Sequence, residues 1–511
     1  MKLQRVDNAK RNIYYGALNK IVTLVFPFIL RMIMVRTIGI QYLGLNGLFS
    51  AILQLLNLTE MGFSSVAVYC MYKPIAENDI KTVNALLNFY RKFYNVISVI
   101  ITIVGLLLLP FIPYFISGSI PDNVNIYILY LVYLFNTVFN YAVFSYRTTI
   151  LYAYQRNDLI SIVSILTSGG LYVFQIVALL CTKSYYVYLI LMPLATLLGN
   201  LIRACLSYKI YPGYRCFGKI DSSTQKNIVK QIKGLLINKI CQTSRSSFDS
   251  IFVSAFLGLG VSGIYSNYLM ILNCLNGILA VLMESITAGI GNSTVTESVE
   301  KNYEDMKKIN FLYMLIAGWC TVCMLCLYQP FMIFVFGKEY LLSNVVVFLF
   351  CLYFYGLCMG NVRGAYSDAL GLWWQNRYRA IFESILNFIL NFLFVYKFGV
   401  AGIIAATLIP LMIVNFGYGS QIVFKYYFGE IRIKDYFISH GKYALSAFIV
   451  SVTTYMLCNY TLPLLNPLGM FVKNGLICII VPTWLFWIIY HKSSEYDIAI
   501  SWVKHIFNFK K

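Results

Sequence analysis

Charge is scarce in this 511-residue chain: Asp, Glu, Lys and Arg make up 12% of it, where a soluble domain carries about 25%. A water-facing surface over most of the chain is thereby excluded. Acidic residues number 20 against 40 Lys and Arg, and the only His are His440, His491 and His505. Histidine catalysis and a His-based metal site have little to draw on. No GxxxxGKS or GxxxxGKT loop occurs, so ATP is not bound by that device; GKEY at Gly337 and GKYA at Gly441 lack the preceding glycine spacing. Long polar segments are missing too. The longest, Tyr72 to Lys92, Lys209 to Lys233 and Lys425 to Lys442, are too short for a catalytic domain outside the membrane. No small-residue cleavage site follows MKLQRVDNAKRN, which predicts a retained first span. Thirteen Cys are scattered through apolar runs, and the tightest group, Cys320, Cys323 and Cys326, has no His or carboxylate beside it. These three read as small core residues, and neither a metal site nor a cofactor is expected.

What is present is apolar surface: 59% hydrophobic and 17% aromatic residues, with a mean hydropathy of +0.71. The expectation is an all-α polytopic membrane protein, since a span needs about 20 apolar residues. Breaks at Pro, Gly and charge clusters give about fourteen candidate spans. Six lie near 13–37, 42–70, 91–116, 125–152, 159–181 and 186–208. Six more lie near 234–257, 262–288, 309–336, 343–370, 380–397 and 400–424, and a last pair near 442–462 and 471–490. A shift of about 219 positions lays Leu18, Asn19, Lys20 and Ile21 on Ile237, Asn238, Lys239 and Ile240, with Gly39 on Gly258 and Gly44 on Gly263. A shift of about 216 sets Arg147 on Arg363 and Ala153 on Ala369. The implied organisation is two pseudo-symmetric six-helix lobes, 1–208 and 234–424, a cytoplasmic linker 209–233, and two extra helices with a cytoplasmic tail, 425–511.

Lys and Arg set the orientation. With the amino terminus inside, about 28 of the 40 fall on inner segments and five on outer connections, Arg36, Lys183, Lys338, Lys397 and Lys473. Both termini are expected in the cytoplasm, in a multi-pass protein of the cell membrane. The net charge of +20 thus has a topological reading, and no nucleic-acid stripe remains over.

The informative residues are charges inside spans, each of which costs roughly 2.5 to 3.5 kcal/mol near mid-membrane and so faces protein or a water-filled cavity. In the first span Lys20, Thr23, Pro27 and Arg31 share one helix face. In the seventh, Asn238, Gln242, Arg245 and Asp249 share another, with Lys239 beside them. Arg31, Lys239, Arg245, Asp249 and Lys20 are the candidate substrate-binding charges, since guanidinium and ammonium suit phosphate. A self-neutralising pair is the competing reading of Arg245 and Asp249 at i, i+4. Glu60 and Glu284 are candidates for a gate or coupling site. Arg147, Arg203, Arg363, Asp368 and Glu383 read as anchors at the inner face. No catalytic residue is assigned, and transport would draw on an ion gradient, the membrane potential or the substrate gradient.

The runs IGIQYLGLNGLFSAILQLLNLTEMGF, YKPIAENDIKTVNALLNFYRKFY, SYRTTILYAYQRNDLISIV and YSDALGLWWQNRYRAIFESILNFILNF, with FGVAGIIAAT, resemble the polysaccharide-repeat flippases of the multidrug, oligosaccharidyl-lipid and polysaccharide (MOP) exporter superfamily. The resemblance extends over nearly the whole chain. It implies two lobes around a central cavity that opens inward and outward in turn, moving an undecaprenyl-diphosphate-linked oligosaccharide for capsule or exopolysaccharide synthesis. Fourteen spans resemble the lipid II flippase branch. The implied partners are that glycan lipid, membrane lipids and a polysaccharide polymerase, with the flippase itself a monomer. The alternatives are a cation-coupled multidrug exporter of the same fold, which favours a cavity of carboxylates and aromatics, and a membrane polymerase or glycosyltransferase, which needs a large catalytic loop.

Overall fold

The computed structural model describes residues 5–57, 63–118, 120–460, 466–493, 495–497 and 501. Among them the chain is helix and connecting turns, without strand. Among the described residues nine helical segments are long and apolar enough to cross a membrane, or ten if the bent pair at Ile126–Ala142 and Ser145–Ala153 is one span. Within the described residues each of the fourteen expected segments nonetheless falls largely on helix. The difference has three causes. Ile40–Leu56 has only 17 residues, Ser222–Phe252 and Ile433–Tyr460 carry too many polar residues, and Arg377–Phe428 runs two expected spans together.

Two compact units divide the chain at Gly263, Met1–Gly263 and Ile264–Lys511. The first holds α1 (Arg5–Thr37), α2 (Ile40–Leu56), α3 (Phe63–Ala76), α4 (Ile80–Leu108), α5 (Ile126–Ala142), α6 (Thr148–Ala153), α7 (Asn157–Thr182), α8 (Tyr185–Ile210) and α9 (Ser222–Phe252). Helix α1 packs along α7, α7 on α8, and α5 on both α4 and α8. Helix α9, which the internal repeat assigns to the second lobe, packs on α2 and α3. The helix α10 (Leu259–Thr296) crosses the division. The second unit continues with α11 (Val299–Val335), α12 (Asn344–Met359), α13 (Asn361–Ala369), α14 (Arg377–Pro410), α15 (Gly419–Val423), α16 (Ile433–Tyr460) and α17 (Pro467–Tyr490). There α11 packs against α12, α16 and α17, and α16 against α17.

Helix ends are made locally. Asn125 caps α5, its Oδ1 accepting from the amides of Tyr127 and Ile128 at 3.0 and 3.4 Å. Phe144, left-handed at φ 54°, bends the chain by 44° into the Ser145–Ala153 helix. Lys183, also left-handed, joins α7 to α8 in two residues. Gly399 adopts φ 54° and ψ −132° inside α14, at the expected break between 397 and 400. A Cβ on Gly402 would lie 2.4 Å from the Phe394 carbonyl oxygen, so only glycine lets the two arms close.

The repeated glycines have the same use in both copies. Gly39 (φ 108°, ψ 166°) precedes α2 and Gly258 (φ 92°, ψ 166°) precedes α10. Five residues on, Gly44 and Gly263 let these two helix starts approach each other reciprocally. A Cβ on Gly44 would sit 2.1 Å from the Leu259 carbonyl oxygen, and one on Gly263 would sit 2.4 Å from that of Ile40.

The segment after α8 is not a free tether. Arg215 donates its amide to Asn84 Oδ1 at 2.7 Å, Asn88 Nδ2 donates to the Gly218 carbonyl at 2.9 Å, and Arg147 Nη1 donates to the Tyr214 carbonyl at 2.7 Å. Residues 222–233, expected in the linker, form the first turns of α9.

Gly44→Ala and Gly263→Ala are each expected to lower stability by about 1–3 kcal/mol through forced overpacking against backbone. Gly16→Ala, whose Cβ would meet nothing within 4 Å, is the control and should hold or raise stability. Thermal unfolding of the purified proteins in detergent measures this. Equal midpoints for all three would show that the close approach is not a constraint.

Candidate functional site

Arg31 is half-buried on α1, and its charge acts on the phenols of Tyr133 from α5 and Tyr188 from α8. Those phenols belong to a wider cluster. Tyr133 and Tyr185 hydroxyls lie 3.1 Å apart, Asn46 Nδ2 of α2 donates to the Tyr188 hydroxyl at 3.2 Å, and Gln175 Nε2 of α7 donates to the Tyr188 carbonyl at 3.1 Å. Tyr42 packs its ring 5.1 Å from that of Tyr185. Five helices of the first unit therefore contribute to one cluster of hydroxyl and amide groups, and the Arg31 guanidinium interacts with two of its phenols.

The second group lies on α9. Thr243, Ser244, Arg245, Ser247 and Asp249 are buried, Arg245 at 8% and Asp249 at 2% exposure, one helical turn apart. Lys239, six residues before Arg245, is half-buried. Gln242, expected on the same face, is exposed, because the buried run begins only at Thr243. The serines and threonines that fill this run bond partly within their own helix, as Ser244 Oγ does to the Cys241 carbonyl at 3.0 Å.

The remaining expected residues are scattered. Lys20 is exposed, eleven residues before Arg31 on α1. Glu284 is exposed on α10. Glu60 lies outside the described residues. The structure thus sets Arg31 among the phenols and buries Arg245 and Asp249 on one helix.

Two arginines expected to be interfacial anchors are instead buried, Arg147 completely and Arg363 at 4% exposure. Arg147 stacks on the Tyr208 ring, 3.5 Å from its centroid, while one nitrogen binds the Tyr214 carbonyl. Arg363 Nη2 donates to Asn415 Oδ1 at 3.0 Å, Asn415 Nδ2 donates to Glu383 Oε2 at 2.9 Å, and Arg379 Nη1 donates to the same oxygen at 2.8 Å. Gly419 makes room for this guanidinium, since a Cβ there would stand 2.4 Å from Nη1. The internal repeat paired Arg147 with Arg363 but did not reveal their burial. The phenol cluster was missed as well, since 42 Tyr in the chain hide four that converge.

Long apolar helices around buried cationic and polar side chains define a multi-pass membrane protein. The sequence matches the family described as polysaccharide biosynthesis protein over residues 9–287, more than half of the chain. The chain belongs to that family. Its fold is that of solved transporters in the MOP superfamily. One is the lipid II flippase MurJ in an inward closed conformation, 17% identical, covering 94% of this chain and 98% of that one, with a TM-score of 0.65. Another is an inward-facing multidrug resistance MATE family transporter, 15% identical, covering 81% and 98%, with a TM-score of 0.64. A third, from Pyrococcus furiosus, is described by a binding pocket of reversed polarity that suggests a different function; it is 15% identical, covers 82% and 97%, and has a TM-score of 0.54. No curated protein matches the sequence significantly.

Burial of Arg245 and Asp249 on one helix generates a test. Arg245→Leu or Asp249→Leu alone should cost about 3–5 kcal/mol by leaving the other charge uncompensated, and the double leucine variant should recover most of the folded yield. Size-exclusion profiles and melting of the three variants measure it. Single variants as stable as the unmodified protein would show that the two charges do not compensate each other.

Proposed function

We propose that the protein is a flippase that moves undecaprenyl-diphosphate-linked oligosaccharide repeat units across the cytoplasmic membrane for capsule or exopolysaccharide synthesis. The observation that carries this reading is the excess of cations among the buried and half-buried site groups: Arg31, Lys239 and Arg245 against the single carboxylate of Asp249. A diphosphate is the part of such a substrate that most needs compensation in a medium of low dielectric. Arg31 with Tyr133, Tyr188 and Asn46 offers one charged group and several hydroxyl or amide groups, a set suited to a phosphate next to a sugar. Lys20, eleven residues before Arg31 on α1, meets the substrate's charge before Arg31 does. Glu60 and Glu284 are proposed as gate or coupling residues. The polysaccharide biosynthesis family supports the substrate class. Coverage supports it too, since the lipid II flippase aligns with 94% of this chain and the multidrug transporters with 81–82%, a difference about the size of the α16–α17 pair.

The accompanying topology has fourteen spans in two six-helix lobes, 1–208 and 234–424, with both termini in the cytoplasm and one chain as the working unit. No catalytic residue is assigned. A polysaccharide polymerase is the expected neighbour, because it consumes the lipid-linked repeat delivered outside. The fold of the multidrug transporters supports a second reading, export of cationic drugs, on which the carboxylates and not the arginines would bind.

Deleting the gene should abolish surface polysaccharide while complete lipid-linked repeats accumulate in membrane extracts. Arg31→Ala should fail to restore export although the protein folds, and Arg31→Lys should restore part of it, since the charge remains without the planar fork. Unchanged polysaccharide together with new drug sensitivity would favour the exporter, and an incomplete repeat unit would favour a transferase.

For the orientation, membrane-impermeant maleimide should label a cysteine at Leu468 in intact cells, in a cysteine-free background, and one at Ser222 only after permeabilisation. External labelling at Ser222 would reverse the topology.

A further inference from the structure

Three thiols far apart in sequence meet in the second unit. Cys326 of α11, Cys458 of α16 and Cys478 of α17 are all buried, at 3%, 5% and 1% exposure, and their Sγ atoms all lie within 4.8 Å of one another. The sequence reading placed Cys326 with Cys320 and Cys323, one and two turns away on the same helix. The structure separates them, for Cys320 and Cys323 are only half-buried and take no part in the cluster.

Buried cysteines commonly serve as small apolar residues. Two features set these three apart. One is convergence, since each of three mutually packed helices contributes a single Sγ to one point. The other is an unsatisfied polar group beside them. Asn474, 6% exposed, stands one turn before Cys478 on α17, and its Nδ2 donates to the Cys326 carbonyl at 3.3 Å. Its Oδ1 has no hydrogen-bond partner among the described residues. A buried amide oxygen left so costs about 1–3 kcal/mol, and an apolar packing role for the thiols gives no reason to keep it there.

We propose that Cys326, Cys458 and Cys478 form a binding site for one thiophilic d10 cation, zinc(II) in the first place, with Asn474 Oδ1 completing the shell directly or through a bound water. Thiolates at about 2.3 Å from such an ion stand roughly 4 Å apart, which the cluster reaches with little movement. The charges also close. Three thiolates and zinc(II) sum to −1, and Lys473, whose Nζ donates to the Cys458 carbonyl at 3.2 Å, brings +1. Binding releases the three thiol protons to solvent and needs no oxidant. The ion would join α11, α16 and α17 at one point and so stiffen the added helix pair against the rest of its unit.

The test uses the full-length protein in detergent under mild reduction. Metal analysis of the purified protein, and titration of the chelator-treated protein with zinc(II) and with cadmium(II) as a chromophoric probe, should give one equivalent per chain with a thiolate-to-cadmium charge-transfer band. The band should vanish in Cys326→Ala, Cys458→Ala and Cys478→Ala and persist in the Cys320→Ala/Cys323→Ala control. Asn474→Leu should weaken binding about tenfold or more. Zinc should raise the melting temperature of the unmodified protein and slow alkylation of these thiols, a readout that needs no variant to fold. No stoichiometric metal, a band that survives loss of the three thiols, or a disulfide among them in the freshly purified protein would overturn the proposal.

Discussion

Hydrocarbon offers no water to a backbone amide or carbonyl, so every such group in the membrane must find its partner within the protein. That constraint explains why the chain is helix almost throughout and why its breaks are so economical. At Gly39, Gly258, Gly399, Phe144 and Lys183 the chain turns or bends within one or two residues, each at positive φ. Where a helix loosens, another segment closes the gap: the Ser117 amide donates at 3.1 Å to the carbonyl of Ser254, inside the wide turn Val253–Leu257 that ends α9. The paired glycines Gly44 and Gly263 extend the same logic to packing. With no side chain at either position, two helix starts come within backbone contact, which a single methyl group on each side would prevent.

The same scarcity of water governs the charges. An arginine buried in protein must be given acceptors or an aromatic face, and the two halves of the chain do this differently. Arg147 receives a carbonyl and a tyrosine ring, whereas Arg363 is held in a network of Asn415, Glu383 and Arg379. The two arginines that the sequence aligns at a shift of about 216 positions thus stand in different surroundings. The first guanidinium ties the segment after α8 to the body of its unit, and the second ties α13 to α14 and the residues that follow it. Both are structural uses of charge, distinct from that proposed for Arg31, which sits among groups that can exchange one hydrogen-bond partner for another.

The helices and their approximate ends were legible in the chain because each depends on neighbours close in sequence. Apolar runs of sufficient length form spans, and some of the breaks fall on glycine at positive φ; the break expected between 397 and 400 falls at Gly399. The weight given to Arg31, Arg245 and Asp249 also came from the chain, since their position within apolar segments was enough to make them costly. Gln242 shows the limit of that reasoning. It shares the helical face of Asp249, yet it is exposed, because burial depends on how far along α9 its neighbours reach.

By itself the sequence determined an all-helical membrane protein and which charges would have to be accommodated. Tertiary structure alone decided what accommodates them. Arg31 meets Tyr133 and Tyr188, Arg147 meets Tyr208 and Tyr214, and Cys326 leaves its near neighbours for Cys458 and Cys478. Tyrosine and cysteine are common in this chain, and their spacing along it carries no record of convergence. Such meetings are set by which helix faces pack together, and that choice belongs to the whole fold, since a helix with apolar residues on most of its sides can be turned toward several neighbours at nearly equal cost.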